Sequence, residues 1–382
     1  MIPKRNILVF DHMLVIDSYK LLYKKLIGCY GVNLLAICPS YAVLNFRNNR
    51  RINSTIKDNE KEWIKKIRPI VPMSSHRVFY NPLKIIKILK KVSWDLIYIN
   101  GEPDWLLSTE IIFLSKLLRM KSKILVHTSR SIDFTITGFP YRFPGITRCI
   151  DYYVRKNCDA LICVGRTTKE SFEKSPFSFK HNKLYALPWY FDVNFYKSHR
   201  SKKKNISIGY VGRVEDEKGI ITFWEAVKKL DNTIDFIIAG NGSRADWLRK
   251  EIEAMNVKCK FIRDASPEDM PKIYSEIDIL IVPSLTTRTW REHFGRVIPE
   301  AMACEAAVIG SDSGEIPFVI DGAGLVFKEG DPADLLAKIN LLINDQGLLE
   351  ELRKKGRRRV CEKFSVEAVA TQFYKIIEDT LN

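Results

Sequence analysis

The chain has 382 residues, of which 46% are apolar and 11% aromatic, and it carries a formal net charge of +16. This apolar content excludes a disordered, collagen-like or mucin-like chain, and the length exceeds what one hydrophobic core usually serves, so two domains are expected. The charge is unevenly held: residues 1–200 carry 34 Lys and Arg against 15 Asp and Glu, or +19, and residues 201–382 carry 27 against 30, or −3.

A basic half fits nucleic acid, an anionic membrane surface or an anionic substrate. No nucleic-acid module and no interleaved aromatic platform accompanies it, which sets nucleic acid aside as a partner.

At the N-terminus the apolar run Ile7-Leu-Val-Phe10 is too short for a signal peptide or a membrane span, so a cytoplasmic protein is expected. Short β-branched runs at 6–10, 33–38, 96–100, 123–127 and 160–164 then alternate with amphipathic stretches. Parallel sheets with crossover helices give this alternation. Two stretches, 61–68 and 82–92, interleave lysines with Ile, Leu or Trp, as in helices that cover a sheet or lie on anionic lipid. Residues 192–205 are polar and without apolar period, which marks an exposed connection and a boundary near residue 200.

The strand pattern restarts at 207–211, 236–239, 259–262, 279–282 and 307–310, so the chain is α/β with two doubly wound, Rossmann-like units. Such units bind ligands at the carboxyl ends of their strands, where functional residues are therefore sought. Eight scattered cysteines lack CxxC or Cys/His spacing and are expected as reduced core thiols.

After the strand at 207–211 comes Gly212-Arg213-Val-Glu-Asp-Glu-Lys218-Gly219, and after that at 236–239 comes Gly240-Asn-Gly242. The first puts two cations in a strand-end loop, where without further context Arg and Lys are usually solvated surface charges; the second is a tight turn lacking the third glycine of a dinucleotide fingerprint. The most specific segment runs from Pro283-Ser284 through Trp290, Glu292, Phe294-Gly295-Arg296-Val297 and Glu300-Ala-Met-Ala-Cys304 to Gly310-Ser-Asp-Ser-Gly314-Glu-Ile-Pro317. Glu292 could accept hydrogen bonds from sugar hydroxyls, the backbone N–H groups of Phe294, Gly295 and Arg296 could donate at a helix start, and Glu300 could take a ribose diol. Acidic residues that merely complement a helix dipole are the plainer reading of either Glu alone. Leu125-Val-His127-Thr128 ends a strand, and Glu102-Pro103 follows another.

These motifs closely resemble the retaining glycosyltransferase family 4, whose E-x7-E pair is matched by Glu292 and Glu300 over a string of about 35 positions. The resemblance implies a GT-B fold, two facing Rossmann-like domains with a cleft between them. It assigns residues 1–200 to the acceptor side and 201–364 to the nucleotide-sugar side, with a C-terminal helix at about 365–382 that can pack back on the first domain. It implies transfer of a hexose or related sugar from a UDP- or GDP-type donor to a lipid-linked, polysaccharide or other glycan acceptor, with Arg213 and Lys218 on the diphosphate and His127 facing the sugar. Gly212, Glu292, Phe294, Gly295, Arg296, Val297 and Glu300 line the donor in that reading. No metal or other cofactor is expected, since the two cations supply the electrostatics and no Asp-x-Asp triplet occurs in the chain.

The string departs from the family after the first strand, where Asp11-His-Met-Leu-Val-Ile-Asp17 lacks a glycine pair, so acceptor contacts there do not carry over. It departs also at Tyr190-Phe191 and at Cys304-Glu305-Ala306. A sugar-nucleotide epimerase of the same fold, or a catalytically silent nucleotide-sugar-binding partner, are the competing readings. With its basic half, the chain is further expected as a peripheral enzyme at the inner face of a membrane.

Overall fold

The computed structural model describes residues 4–44, 50–70, 78–134, 143–179, 183–200, 205–231, 233–255 and 257–382; part of the expected connection, 201–204, lies outside them. The chain divides into two compact units, Met1–Pro188 with Val369–Asn382, and Trp189–Ala368.

In the first unit, β1 (Asn6–Asp11) and β2 (Asn33–Pro39) are followed by a small antiparallel ribbon of β3 (Tyr41–Leu44) and β4 (Arg50–Asn53). β5 (Ile64–Ile67), β6 (Leu96–Asn100), β7 (Lys123–Thr128), β8 (Ala160–Cys163) and β9 (Lys183–Ala186) complete a seven-stranded sheet in the order β5-β2-β1-β6-β7-β8-β9. All its pairings are parallel. Helices on both faces of such a sheet bury the strands from two sides, which is why Leu8, Phe10, Ile97, Ile99, Leu125 and Ile162 are fully buried and the strands read as unbroken apolar runs.

The stretch 61–68 is a strand rather than a basic amphipathic helix. Ile64 and Ile67 turn inward, Lys65 and Lys66 outward, and the segment pairs with residues 36–39 at the sheet edge. Lysines on an edge strand keep it from pairing with other chains, so the same charge serves a different purpose there. By contrast, the helix Pro82–Leu89 does form, started by Asn81, whose side chain accepts from the N–H groups of Leu83 and Lys84, with proline in the first turn.

The helix Val366–Leu381 closes the chain. From Val369 onward it belongs to the first unit: Phe373 lies 4.9 Å from the Tyr98 ring, Tyr374 stacks on Tyr30 at 4.3 Å, and Glu378 accepts from Arg5 at 3.3 Å. Among the described residues no helix is long and apolar enough to cross a membrane. Nor are all eight cysteines core thiols: Cys29, Cys149 and Cys361 are exposed, because they fall on the outward faces of helical turns whose other residues carry the packing.

The second unit holds a six-stranded parallel sheet, built from β10 (Ser207–Val211), β11 (Asp235–Ala239), β12 (Cys259–Ile262), β13 (Ile279–Val282), β14 (Ala307–Ser311) and β15 (Leu325–Phe327). Its order is β12-β11-β10-β13-β14-β15. Phe223, Ile238, Ile281, Ile309, Leu335 and Ile339 fill its core. At the amino end of the sheet Asp278 accepts from the Ser207 N–H and hydroxyl, both at 2.8 Å, and receives Arg200 and Arg353 as counter-charges, so a buried carboxylate is fully paired there.

At the opposite, carboxyl end two connections are forced together. Gly219 has φ +71°, and a Cβ on it would stand 1.7 Å from the carbonyl oxygen of Pro283. A side chain there meets backbone, which cannot swing aside. Gly219→Ala is therefore expected to destabilise this unit by about 2 kcal/mol or more, from strain and displaced backbone together. A urea midpoint equal to that of the parent chain would contradict this close approach.

Candidate active site

The order β11-β10-β13-β14 brings the segments after these strands to one edge of the second unit. After β10, Gly212 has φ +146° and Lys218 donates its backbone N–H to Glu215 in a short 3-10 turn, Asp216–Lys218. After β13, the N–H of Leu285 reaches the carbonyl of Glu217 at 2.9 Å, which ties the two loops together. On this frame Lys218 Nζ lies 2.6 Å from Glu292 Oε2, and Ser284 Oγ donates to the same oxygen at 2.8 Å. Lys218 Nζ also sits 4.5 Å over the Trp290 ring. Burial pushes the Glu292 carboxyl up in pKa, but the Lys218 ammonium and the hydrogen bonds from Lys218 and Ser284 more than offset it, and the net shift is downward. Glu292 is a buried, ionised, charge-paired carboxylate.

Its backbone is equally constrained. Gly314 (φ +57°) lies so close that a Cβ there would be 2.2 Å from the Glu292 carbonyl oxygen, and the Glu315 N–H donates to that oxygen at 3.1 Å. Arg213 stands apart from the Lys218–Glu292 pair, more than half exposed and bonded to Glu217 at 2.9 Å.

Gly295 (φ +72°) reverses the chain before the helix Val297–Ala303. The Phe294 side chain is buried among aromatic rings, 5.5 Å from Trp189, 6.2 Å from Phe191 and 5.5 Å edge-on to Phe364. That leaves its backbone as the part a ligand can meet. Arg296 lies over Phe191 at 5.0 Å and Trp189 at 5.4 Å, and reaches Glu300 Oε1 at 3.5 Å. Glu300 also accepts from Tyr274 Oη at 2.9 Å; burial raises its pKa against the opposing pull of Arg296, Tyr274 and Tyr196. The two motif carboxylates thus have separate partners and opposite shifts, a distinction that spacing along the chain does not carry. Ser284, Trp290 and Tyr274 supply it, and their only sequence signal was position within or just before the long matched string.

In the first unit, parallel register sets Asp11 beside Asn100 and Asn100 beside His127 at the carboxyl ends of β1, β6 and β7. Asp11 accepts from Tyr23 Oη at 2.6 Å, Asn100 Nδ2 at 2.9 Å and the Met13 N–H at 2.8 Å. His127 Nδ1 lies 2.8 Å from Tyr98 Oη, while its Nε2 is buried without a hydrogen-bond partner. Burial lowers the His127 pKa to about 4, so the ring is neutral near pH 7. Glu102 spans the start of the following loop: one carboxylate oxygen takes the Thr128 hydroxyl, the other the Ser129 N–H at 2.9 Å and hydroxyl at 2.8 Å. The Glu-Pro pair, which had no assigned chemistry in the sequence, therefore fixes the turn directly after His127. Among the described residues no cluster of His, Cys, Asp and Glu could hold a metal ion.

Two doubly wound units with polar groups gathered at strand ends are the architecture of GT-B glycosyltransferases. A solved structure of Anabaena Alr3699/HepE in complex with UDP superposes with TM-score 0.70 at 17% identity, over 98% of this chain and 100% of that one. Residues 193–359, all within the second unit, match the family described as glycosyl transferases group 1. Among curated relatives, the capsular polysaccharide biosynthesis glycosyltransferase CapM of Staphylococcus aureus is 25% identical over 81% of this chain and 84% of its own length. A Campylobacter jejuni enzyme named GalNAc-alpha-(1->4)-GalNAc-alpha-(1->3)-diNAcBac-PP-undecaprenol alpha-1,4-N-acetyl-D-galactosaminyltransferase is 24% identical over 63% of this chain and 66% of its own.

The His127 environment has a consequence for stability. An unfolded chain protonates this imidazole near pH 6.5, the folded one only near pH 4, so between those values the unfolded state binds more protons and stability is lost as pH falls. The slope from this one group approaches about 1.4 kcal/mol per pH unit at most. His127→Asn is expected to flatten the fall of the thermal midpoint between pH 6.5 and 4; an identical pH dependence in the variant would show that the ring is not held neutral.

Proposed function

We propose that the protein is a retaining, metal-independent glycosyltransferase that moves a hexose or related sugar from a UDP- or GDP-type donor to a glycan or lipid-linked acceptor. The observation that carries this reading is the Lys218–Glu292 pair, which joins residues 74 positions apart on two rigid strand-end loops. In the proposal Lys218 and Arg213 meet the diphosphate, whose charge grows as its bond to the anomeric carbon breaks, and Glu292 accepts from the sugar hydroxyls. The acceptor oxygen bonds to the anomeric carbon on the face the diphosphate leaves, and its proton passes to a leaving phosphate oxygen. The backbone of Phe294, Gly295 and Arg296, with Gly212 and Val297 beside them, lines the donor, and Glu300 takes the ribose diol. His127, neutral and with Nε2 unpaired, faces the transferred sugar. Support for a lipid-linked acceptor comes from the name of the Campylobacter jejuni relative, which places that enzyme's substrate on undecaprenol diphosphate.

A panel of nucleotide sugars tested by thermal shift identifies the donor, since a ligand at 100 times its dissociation constant stabilises by about 2.7 kcal/mol. With that donor, Glu292→Gln and Arg213→Ala are each expected to lower turnover about a hundredfold or more while leaving the fold intact. Near-parental turnover in either variant would overturn the site. Activity is expected to persist in EDTA and the product to keep the donor's anomeric configuration by NMR. Inactivation by EDTA that Mg²⁺ reverses would refute the metal-free mechanism, and inverted product the retaining one.

A further inference from the structure

Three helices of the first unit form one layer: Leu106–Leu117 packs against Pro82–Leu89 and against Pro144–Asn157. Their inward faces are well accounted for. Their outward faces are not, because Leu83, Phe113, Leu117, Ile146 and Phe143, the last just before its helix, are 55–76% exposed. Among the described residues only one other large apolar side chain, Ile70, is more than half exposed, so the exposure is concentrated on this layer rather than scattered.

The charge on the same layer is one-sided. Lys84, Lys87, Lys116, Arg148 and Lys156 are exposed, whereas the two carboxylates of these helices point inward. Glu110 accepts the Tyr80 N–H at 3.0 Å, and Asp151 is bound by Arg130 at 2.9 Å and by Arg155 at 2.8 Å. A face with bulky apolar side chains, basic residues among them and no exposed carboxylate matches a leaflet of anionic lipid: rings and Leu or Ile enter the headgroup boundary, and the lysines meet lipid phosphates. It matches a second copy of itself poorly, since two such faces bring like charges together.

We infer that this three-helix layer docks the enzyme on an anionic membrane surface. The inference goes beyond the proposed reaction and does not need it to be right, because lipid binding is read without a donor. It also relocates the membrane contact expected from the sequence, which was shared between 82–92 and 61–68, onto the three packed helices.

The test is co-sedimentation of the full chain with phosphatidylcholine vesicles and with mixed phosphatidylglycerol–phosphatidylcholine vesicles, at low and high salt. Binding to the anionic vesicles, weakened by salt, is expected. Phe113→Glu with Leu117→Glu, and separately Lys84→Glu with Lys87→Glu, are each expected to weaken it by about tenfold or more, from lost apolar insertion and reversed charge respectively. Ile70→Glu, exposed but off the layer, is expected to bind as the parent does. Equal, negligible binding of the parent to both vesicles overturns the inference, as does binding that survives both double variants. Gel filtration showing a parental dimer that Phe113→Glu with Leu117→Glu dissolves would overturn it in favour of a second copy. Thermal shift with the donor, unchanged in all variants, separates loss of docking from loss of the fold or the donor site.

Discussion

The second unit depends on one close approach, that of the loop after β10 to the loop after β13. Gly219 can pass against the Pro283 carbonyl only because it has no Cβ and adopts φ +71°. From that contact the Leu285–Glu217 hydrogen bond follows, and with it the position of Lys218 at Glu292. A further glycine makes the same kind of allowance from the other side: Gly314 admits the Glu292 backbone where any side chain would collide with it. The charged pair is thus positioned by backbone geometry, while the attraction of its buried carboxylate for the ammonium is largely offset by the cost of taking the charges out of water.

The first unit uses a different device. Directly after the turn that Glu102 fixes, Arg130 is paired with Asp104 and Asp151, and Arg155 makes a bidentate contact with Asp133 at 2.9 and 3.0 Å. These charges are buried, so removing one would strand its partners at a cost of roughly 3–5 kcal/mol. Such a network gives less stability than packing of the same volume, but it admits few alternative arrangements. That property suits the base of the turn that follows His127, whose Nε2 is buried without a hydrogen-bond partner.

Strand positions and order of elements were legible because parallel strands buried on both faces leave apolar runs that hardly depend on tertiary detail; all ten expected strands form. The ribbon β3–β4 and the edge strand β5 were not legible. Strands of four residues leave too short a pattern to tell from a turn, and Trp63-Ile64-Lys65-Lys66-Ile67 fits a helical stripe as well as a strand. At the site, Glu292, Glu300, Lys218 and Arg213 were legible as chemistry at strand ends. Their mutual arrangement was not, since Lys218 and Glu292 meet only through the pairing of β10 with β13, and Tyr98 meets His127 only through the register of β6 with β7. The buried Arg–Asp network left no signal at all, because Arg130, Arg155, Asp133 and Asp151 are indistinguishable in sequence from surface charges.

The opposite shifts of the two motif carboxylates bear on how a donor is recognised under the proposed mechanism. Glu300 is held by Tyr274 and Arg296, neither of which the proposal sends to the diphosphate. Glu292 owes its lowered pKa first to Lys218, the cation that the proposal sends to the diphosphate, and then to the Ser284 hydroxyl. Lys218 can meet phosphate and Glu292 through different N–H groups, but any part of its contact that shifts to phosphate leaves the buried carboxylate to Ser284 and to new donors. Sugar hydroxyls supply them; a nucleoside diphosphate without its sugar does not. In that reading the pair couples diphosphate binding to the presence of the sugar, and Lys218 returns to Glu292 as the product nucleotide leaves.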